Sequence, residues 1–407
     1  MKRVRRLAKL VLAALVLAST FFLTGCWNSR ELNSLAVVTA MAIDKAEHSD
    51  EYELSFQVVM PGELSSSGKS GNGYAPFSIY SVRSNTLFEG IRKASKQVPR
   101  QLFFSHVQVV VLGERIAKSG IKEIFDFFER SHEVRLTSML LVAKGTSPSK
   151  LISAIVPLSP LEAEALLGAS EVSSRIWSES PIIGIDDTIR KLINPGAEPS
   201  ISGVKIVGDD EHVGKKQNLE QTRPPYHLEV SGVAVFREGK LAGWLENEKA
   251  RGYMLVANRT KSTVLNLPCE GKPDGVALEV IKSKTKTDVS IKNGRVNVKI
   301  HVMSEGNVAE VKCGIPLGKL SVLTQLEQEW GEETKANMMA AIRQAQTFQA
   351  DVFGFGIILQ RTHPKQWKQY EETWGETFAE AEVSIAFEGQ IQRAGMRGKS
   401  LLEKEKS

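Results

Sequence analysis

The sequence predicts an α+β protein of several domains, with mixed or antiparallel sheets and helices packed against them. Three observations carry this. Residues 106–112 and 136–143 are short apolar runs of strand type, and between them Ile116, Ile121, Ile124, Phe125 and Phe128 recur at helical spacing. Residues 289–302 hold two alternating runs around Asn293-Gly294, a pair that readily supplies the positive φ of a tight turn. Leu320, Leu323, Leu326, Trp330, Met338, Ile342 and Ala345 mark one face of a helix reaching about residue 348. Strands on sheets with helices segregated against them define the class.

In chain order, the first element is a leader. Lys2, Arg3, Arg5, Arg6 and Lys9 come without an acid and precede an apolar run over residues 10–23. That run is short for a membrane span of roughly 20 residues and has the layout of a secretory signal. Leu23-Thr24-Gly25-Cys26 resembles the bacterial lipoprotein signal, in which residues 1–25 are removed and Cys26 carries acyl chains, palmitate among them. An uncleaved N-terminal anchor is the plainer alternative. Both place residues from 27 onward outside the cytoplasm, and two or three acyl chains at about 0.8 kcal/mol per buried CH2 hold a protein on a membrane.

The formal net charge of +5 is the charge of the leader, which leaves the mature part near neutral and gives no nucleic-acid footprint. About 380 mature residues exceed a single core and predict two or three domains. With Cys26 lipidated, Cys269 and Cys313 remain; an oxidising exterior permits a disulfide between them, and two separate buried cysteines are the alternative.

Residues 35–43 and 52–60 read as strands around a polar turn at 45–50, with Leu54, Phe56 and Val58 alternating with Ser55 and Gln57. Residues 65–73 are a polar insertion. A phosphate-loop reading fails there, because Gly62 to Lys69-Ser70 is one residue too long and position 67 is serine. Residues 85–97 read as a helix ended near Pro99. The strand at 106–112, a helix over 114–130 and a strand at 136–143 form a unit in which the crossover returns the chain to a parallel partner. His106, beside Ser105, opens that strand as a structural histidine, since no acid or nucleophile is placed to orient it.

Residues 151–193 include a helix at 161–167, and residues 194–225 are rich in glycine, proline and charge. A domain boundary is expected there, with an external loop on one domain as the alternative. The expected division is a first region at 26–204 with two subdomains, a linker or loop at 205–228, a second region at 229–390 and a polar tail at 391–407. Within the second region, residues 229–236 and 241–245 flank a Glu238-Gly239 turn, and the lysines of 281–287 mark a solvated edge. Gly331 leaves open whether the long helix is one piece or two. Phe353 and Phe355 alternate with glycines in the apolar run 351–359, which lets another element approach the backbone. A helix over 366–378 carries Trp367, Tyr370 and Trp374 as an inner stripe or as a partner surface, and a strand at 383–387 follows.

Several motifs, in order, carry a family resemblance: Cys26-Trp27 with Arg30-Glu31-Leu32, Ser105-His106 with Val109-Val110, Ser231-Gly232 through Phe236 with Gly243-Trp244, and Asp351 with Phe353-Gly354-Phe355-Gly356. Together they resemble the spore germination protein C subunits, the Ger(x)C lipoproteins of nutrient germinant receptors. Asn28 stands where that pattern commonly has aspartate, and Ser131-His132-Glu133 departs from it after Arg130. The resemblance implies three structural domains, a place at the spore inner membrane, and partnership with polytopic A and B subunits.

No metal spacing, G-x-S-x-G elbow or cofactor motif is legible, and Asp186-Asp187 and Asp209-Asp210 read as solvated pairs. The expected function is a noncatalytic, lipid-anchored receptor subunit. The competing readings are an envelope substrate-binding lipoprotein of a transporter and, more remotely, a peptidoglycan hydrolase. No cofactor and no nucleic-acid partner is expected.

Overall fold

The computed structural model describes residues 2–21, 34–60, 75–131, 133–157, 159, 161–215 and 217–393. Cys26, Trp27, Arg30, Glu31 and Leu32, the insertion at 65–73 and the tail from 394 lie outside the described residues. The fold is mixed α+β, with two sheets and packed helices.

The larger sheet has nine strands: β1 (Leu35–Lys45), β2 (Tyr52–Val59), β3 (Phe77–Ser84), β4 (Gln101–Phe103), β5 (Val109–Leu112), β6 (Met139–Ala143), β7 (Ser200–Gly208), β8 (Tyr226–Arg237) and β9 (Lys240–Leu245). Their spatial order is β3-β2-β1-β5-β6-β7-β8-β9, with β4 beside the start of β1. The centre, β1-β5-β6-β7, is parallel, and antiparallel hairpins flank it on both sides. β5 and β6 are unbroken apolar runs because both of their faces are covered. Helices Leu87–Lys93, Glu114–Ser119, Lys122–Arg130 and Ile185–Leu192 pack on one face through Ile91, Ile116, Ile124 and Ile185. Helices Pro148–Ser153 and Glu162–Ile176 cover the other through Leu151, Ile152, Ala163 and Leu166.

The smaller sheet runs in sequence order through β10 (Thr263–Cys269), β11 (Lys272–Lys292), β12 (Arg295–Val311) and β13 (Glu382–Arg393). The β11–β12 turn places Asn293 at φ 52° and Gly294 at φ 78°, the positive values an Asn-Gly turn requires. Beyond Val280, β11 has β12 as its strand neighbour, and on its other edge Thr285 N–H donates to Asn258 Oδ1 at 2.8 Å.

Several elements differ from expectation for identifiable reasons. Residues 114–130 form two helices, because Gly120 adopts φ 133° and breaks the ladder. His106 lies on the turn before β5 instead of opening it. The helix expected at 161–167 continues to Ile176. Residues 366–378 form two short helices, Pro364–Trp367 and Trp374–Ala379, and Trp367 and Trp374 meet edge to face at 5.2 Å inside the core. Helix Leu320–Thr347 passes unbroken through Gly331, whose bare backbone lets Phe387 sit close.

β7 pairs directly with β8, from Ser200 opposite Val235 to Gly208 opposite Tyr226. The polar segment 209–225 therefore joins neighbouring strands of one sheet.

Candidate functional site

Helix Leu320–Thr347 ends at Phe348, and Gln349 at φ 53° turns the chain toward Asp351, which is 1% exposed. The Asp351 carboxylate accepts hydrogen bonds from the backbone N–H groups of Phe353 (3.1 Å), Gly354 (2.9 Å) and Gly356 (2.8 Å), and from Trp374 Nε1–H (3.0 Å). The three backbone donors lie at the start of helix Phe355–Thr362, where N–H groups have no partner within the helix. Burial pushes the Asp351 carboxyl up from the usual carboxylate range, and the hydrogen bonds from Gly356 and Trp374 pull against that shift.

The first half of the chain meets this turn from the other side. After helix Ile185–Leu192, Asn194 Oδ1 accepts from Gly196 N–H at 2.9 Å and closes a tight turn. Gly196 C=O then accepts from Ile357 N–H at 3.1 Å, and Asp351 C=O accepts from Glu198 N–H at 2.9 Å. Lys191 Nζ donates to Val352 C=O at 2.9 Å and to Ser200 Oγ at 3.2 Å, and Ser200 Oγ lies 2.8 Å from the Tyr253 hydroxyl. Backbone and side-chain bonds thus stitch residues 191–200 to residues 351–357.

The motifs of the middle of the chain converge on the same seam. Ser231 and Gly232 form a bulge in β8 opposite Gly203, with Gly232 at φ 72°. Trp244 lies over Gly203, where a Cβ would stand 2.5 Å from its ring, and Phe348 lies over Gly243, where a Cβ would stand 2.4 Å from its ring. Phe236 is buried in the core beneath the larger sheet, while Val233 and Val235 point into the core shared with helix Leu320–Thr347. Phe353 and Phe355 stack at 5.2 Å, and Tyr253 tilts against Phe353 at 5.8 Å. Ser105 and His106 do not join these bonds: Ser105 Oγ reaches Glu133 C=O at 3.5 Å, and the His106 ring meets Phe103 at 5.5 Å.

A cleft of about 370 Å³ opens on the seam, lined by Lys122, Lys191 and Arg237 and by Glu198, Glu238 and Glu371. Burial pushes the Glu198 carboxyl up, opposed by the hydrogen bond from Glu238 N–H and by Lys122. The cleft offers charges of both signs and no nucleophile paired with a base. Among the described residues, no three His, Cys, Asp or Glu side chains are grouped to hold a metal ion. Asp351 is closed off from solvent, so its chemistry is to hold N–H groups. The Lys191, Gly196, Glu198 and Tyr253 positions were not singled out from sequence; the one local signal was the Asn194-Pro195-Gly196 turn.

Away from the seam, a disulfide joins Cys269 to Cys313, with 6.3 Å between their Cα atoms. It ties the end of β10 to the segment that follows β12. No helix of the described residues is long and apolar enough to cross a membrane.

Comparison with known proteins gives this geometry a family. Residues 28–206 match the spore germination protein N-terminal domain, and residues 231–395 match the family described as spore germination B3/GerAC like, C-terminal. The chain is 30% identical over 395 residues to spore germination protein KC of Bacillus subtilis (strain 168), covering 96% of this chain and 97% of that one. It is 22% identical over 382 residues to the putative spore germination protein YfkR of the same organism, covering 93% and 95%. A solved structure, the crystal structure of the GerBC protein, superposes with a TM-score of 0.52 at 20% identity, covering 86% of this chain and 96% of that one, and so shares the fold. With nearly its whole length matched to spore germination proteins, the chain belongs to the spore germination GerAC/GerC family of germinant-receptor proteins.

Proposed function

We propose that this protein is the noncatalytic, lipid-anchored C subunit of a nutrient germinant receptor. It sits on the extracytoplasmic side of the spore inner membrane and assembles with polytopic A and B subunits. The observation that carries the reading is the 96% coverage of the chain by a spore germination protein. Cys26 behind its apolar leader supplies the attachment, through acyl chains that place the folded part beside membrane partners and raise its effective concentration there. Three structural domains, as the family resemblance implies, fit this reading. The seam around Asp351 then makes one assembly module of the two halves.

The test is Cys26→Ala in sporulating cells, with mass spectrometry of the mature N-terminus, inner-membrane fractionation and co-purification with both polytopic subunits. Loss of acylation, of inner-membrane retention and of the nutrient response, with nutrient-independent germination intact, is the expected outcome. A normal nutrient response from an unacylated protein would overturn the anchor. A complex containing a transport ATPase and permease would overturn the receptor assignment.

A further inference from the structure

The described fold begins at Ser34, eight residues after Cys26, so the surface around Ser34 stays within about 28 Å of a membrane-embedded cysteine. That surface is a groove of about 550 Å³, where Ser34 lies beside Val98, Leu102 and Phe104 under a rim of Arg92 and Arg100. One turn along helix Leu87–Lys93, Phe88 stands 55% exposed on the same helix face as Arg92, whose guanidinium carbon lies 4.7 Å over its ring.

The helix and groove carry four basic side chains, Arg92, Lys93, Lys96 and Arg100, against two acids, Glu89 and Glu133. Lys96 and Arg100 are exposed and make no ion pair among the described residues, and Lys93 Nζ is held to Arg83 C=O at 2.7 Å. Two acids stand beside them and both are engaged. Glu133 pairs with Arg92 at 2.8 Å, and Glu89 turns back to accept from Asn85 N–H at 3.1 Å. An exposed aromatic with a guanidinium over its ring, beside a groove that carries a second arginine, fits the boundary between headgroups and acyl chains of an anionic bilayer.

Resting on the lipid-anchor reading, we infer that the face built by Phe88, Arg92, Lys96 and Arg100 lies against anionic phospholipid headgroups. The anchor alone attaches the protein at one point and leaves its facing open; this second contact fixes which way it faces. Phe88 enters the headgroup region, and each nearby cation multiplies the occupancy of this orientation about fivefold.

The experiment uses the full lipidated chain in vesicles of phosphatidylcholine alone or mixed with phosphatidylglycerol, with a spin label on Ser95→Cys. Flotation reports the anchor, and relaxation of the label by oxygen against a water-soluble nickel chelate reports immersion of the face. The expected result is flotation with both vesicles and nickel protection in the anionic ones. Lys96→Gln and Arg100→Gln each lower the protected-to-exposed ratio about fivefold, and Phe88→Ala removes the protection while flotation persists. Equal nickel access in both vesicles, with the protein still floating, overturns the inference and keeps the anchor. Failure to float with neutral vesicles overturns the anchor, and the face is then judged by whether anionic vesicles alone protect the label. Protection that appears only when polytopic subunits are added assigns the face to protein and overturns the inference.

Discussion

Gly196 and Gly356 touch backbone to backbone: a Cβ on Gly356 would stand 2.6 Å from the Cα of Gly196, and one on Gly196 would stand 2.7 Å from the carbonyl carbon of Gly356. Neither neighbour is a flexible side chain able to swing aside. Gly356→Ala is therefore expected to force the two segments apart and to destabilise the full chain by about 1–3 kcal/mol. Urea unfolding measures it, and an unchanged midpoint would show that the seam yields without cost.

Asp351→Ala leaves the N–H groups of Phe353, Gly354, Gly356 and Trp374 without their acceptor inside the core. The expected loss is about 3–5 kcal/mol. Asp351→Asn retains one accepting oxygen and turns an NH2 toward remaining donors, so its midpoint should fall between wild type and Asp351→Ala. Equal stability of all three proteins would remove the carboxylate from the account of the seam.

Glu162, in the first turn of helix Glu162–Ile176, is 1% exposed, and neither carboxyl oxygen has a hydrogen-bond partner among the described residues. Burial pushes its pKa well above the usual glutamate range. The folded state therefore holds this proton more tightly than the unfolded state. The contribution is full below the ordinary glutamate pKa and is lost as pH rises through the raised folded value. Glu162→Gln should flatten that part of the stability–pH curve and raise the neutral-pH melting midpoint by a few degrees. Thermal melts across acid to neutral pH decide it, and an unchanged slope would assign the titration elsewhere.

The Cys269–Cys313 disulfide closes a loop with a sequence separation of 44. Loop-closure entropy for that length is worth about 4 kcal/mol. Cys269→Ser with Cys313→Ser should lower stability by up to that amount, and hydrogen exchange should rise first around Leu265, Leu278 and Leu326, which share the disulfide's core. Identical exchange in oxidised and doubly substituted proteins would show that the bond closes nothing the fold had left open.

Much of the local structure was legible because it rests on short-range patterns. The Asn293-Gly294 hairpin, the strand-helix-strand return of β5 and β6, and the apolar face of helix Leu320–Thr347 all follow from periods of two or 3.6 residues. Close approach at Gly356 was also legible from its alternation with Phe353 and Phe355, although the partner, Gly196, was not. What escaped depends on contacts distant in sequence. Glycine, proline and charge hid β7 within residues 194–225, and the same composition in 209–225 looks alike in a linker and in an excursion between paired strands, which only the β7–β8 register separates. The break at Gly120 was hidden because Ile116, Ile121 and Ile124 keep a helical spacing across it.

Helix Leu320–Thr347, about 42 Å long at 1.5 Å per residue, places Leu326 and Trp330 in the disulfide-bearing core and Met338, Ala341 and Ile342 in the core beside Asp351. β11 and β12 run beneath it between the same two cores. Helix and ribbon are thus walls common to both cores, so a packing change beside the disulfide and one beside Asp351 act on the same three elements.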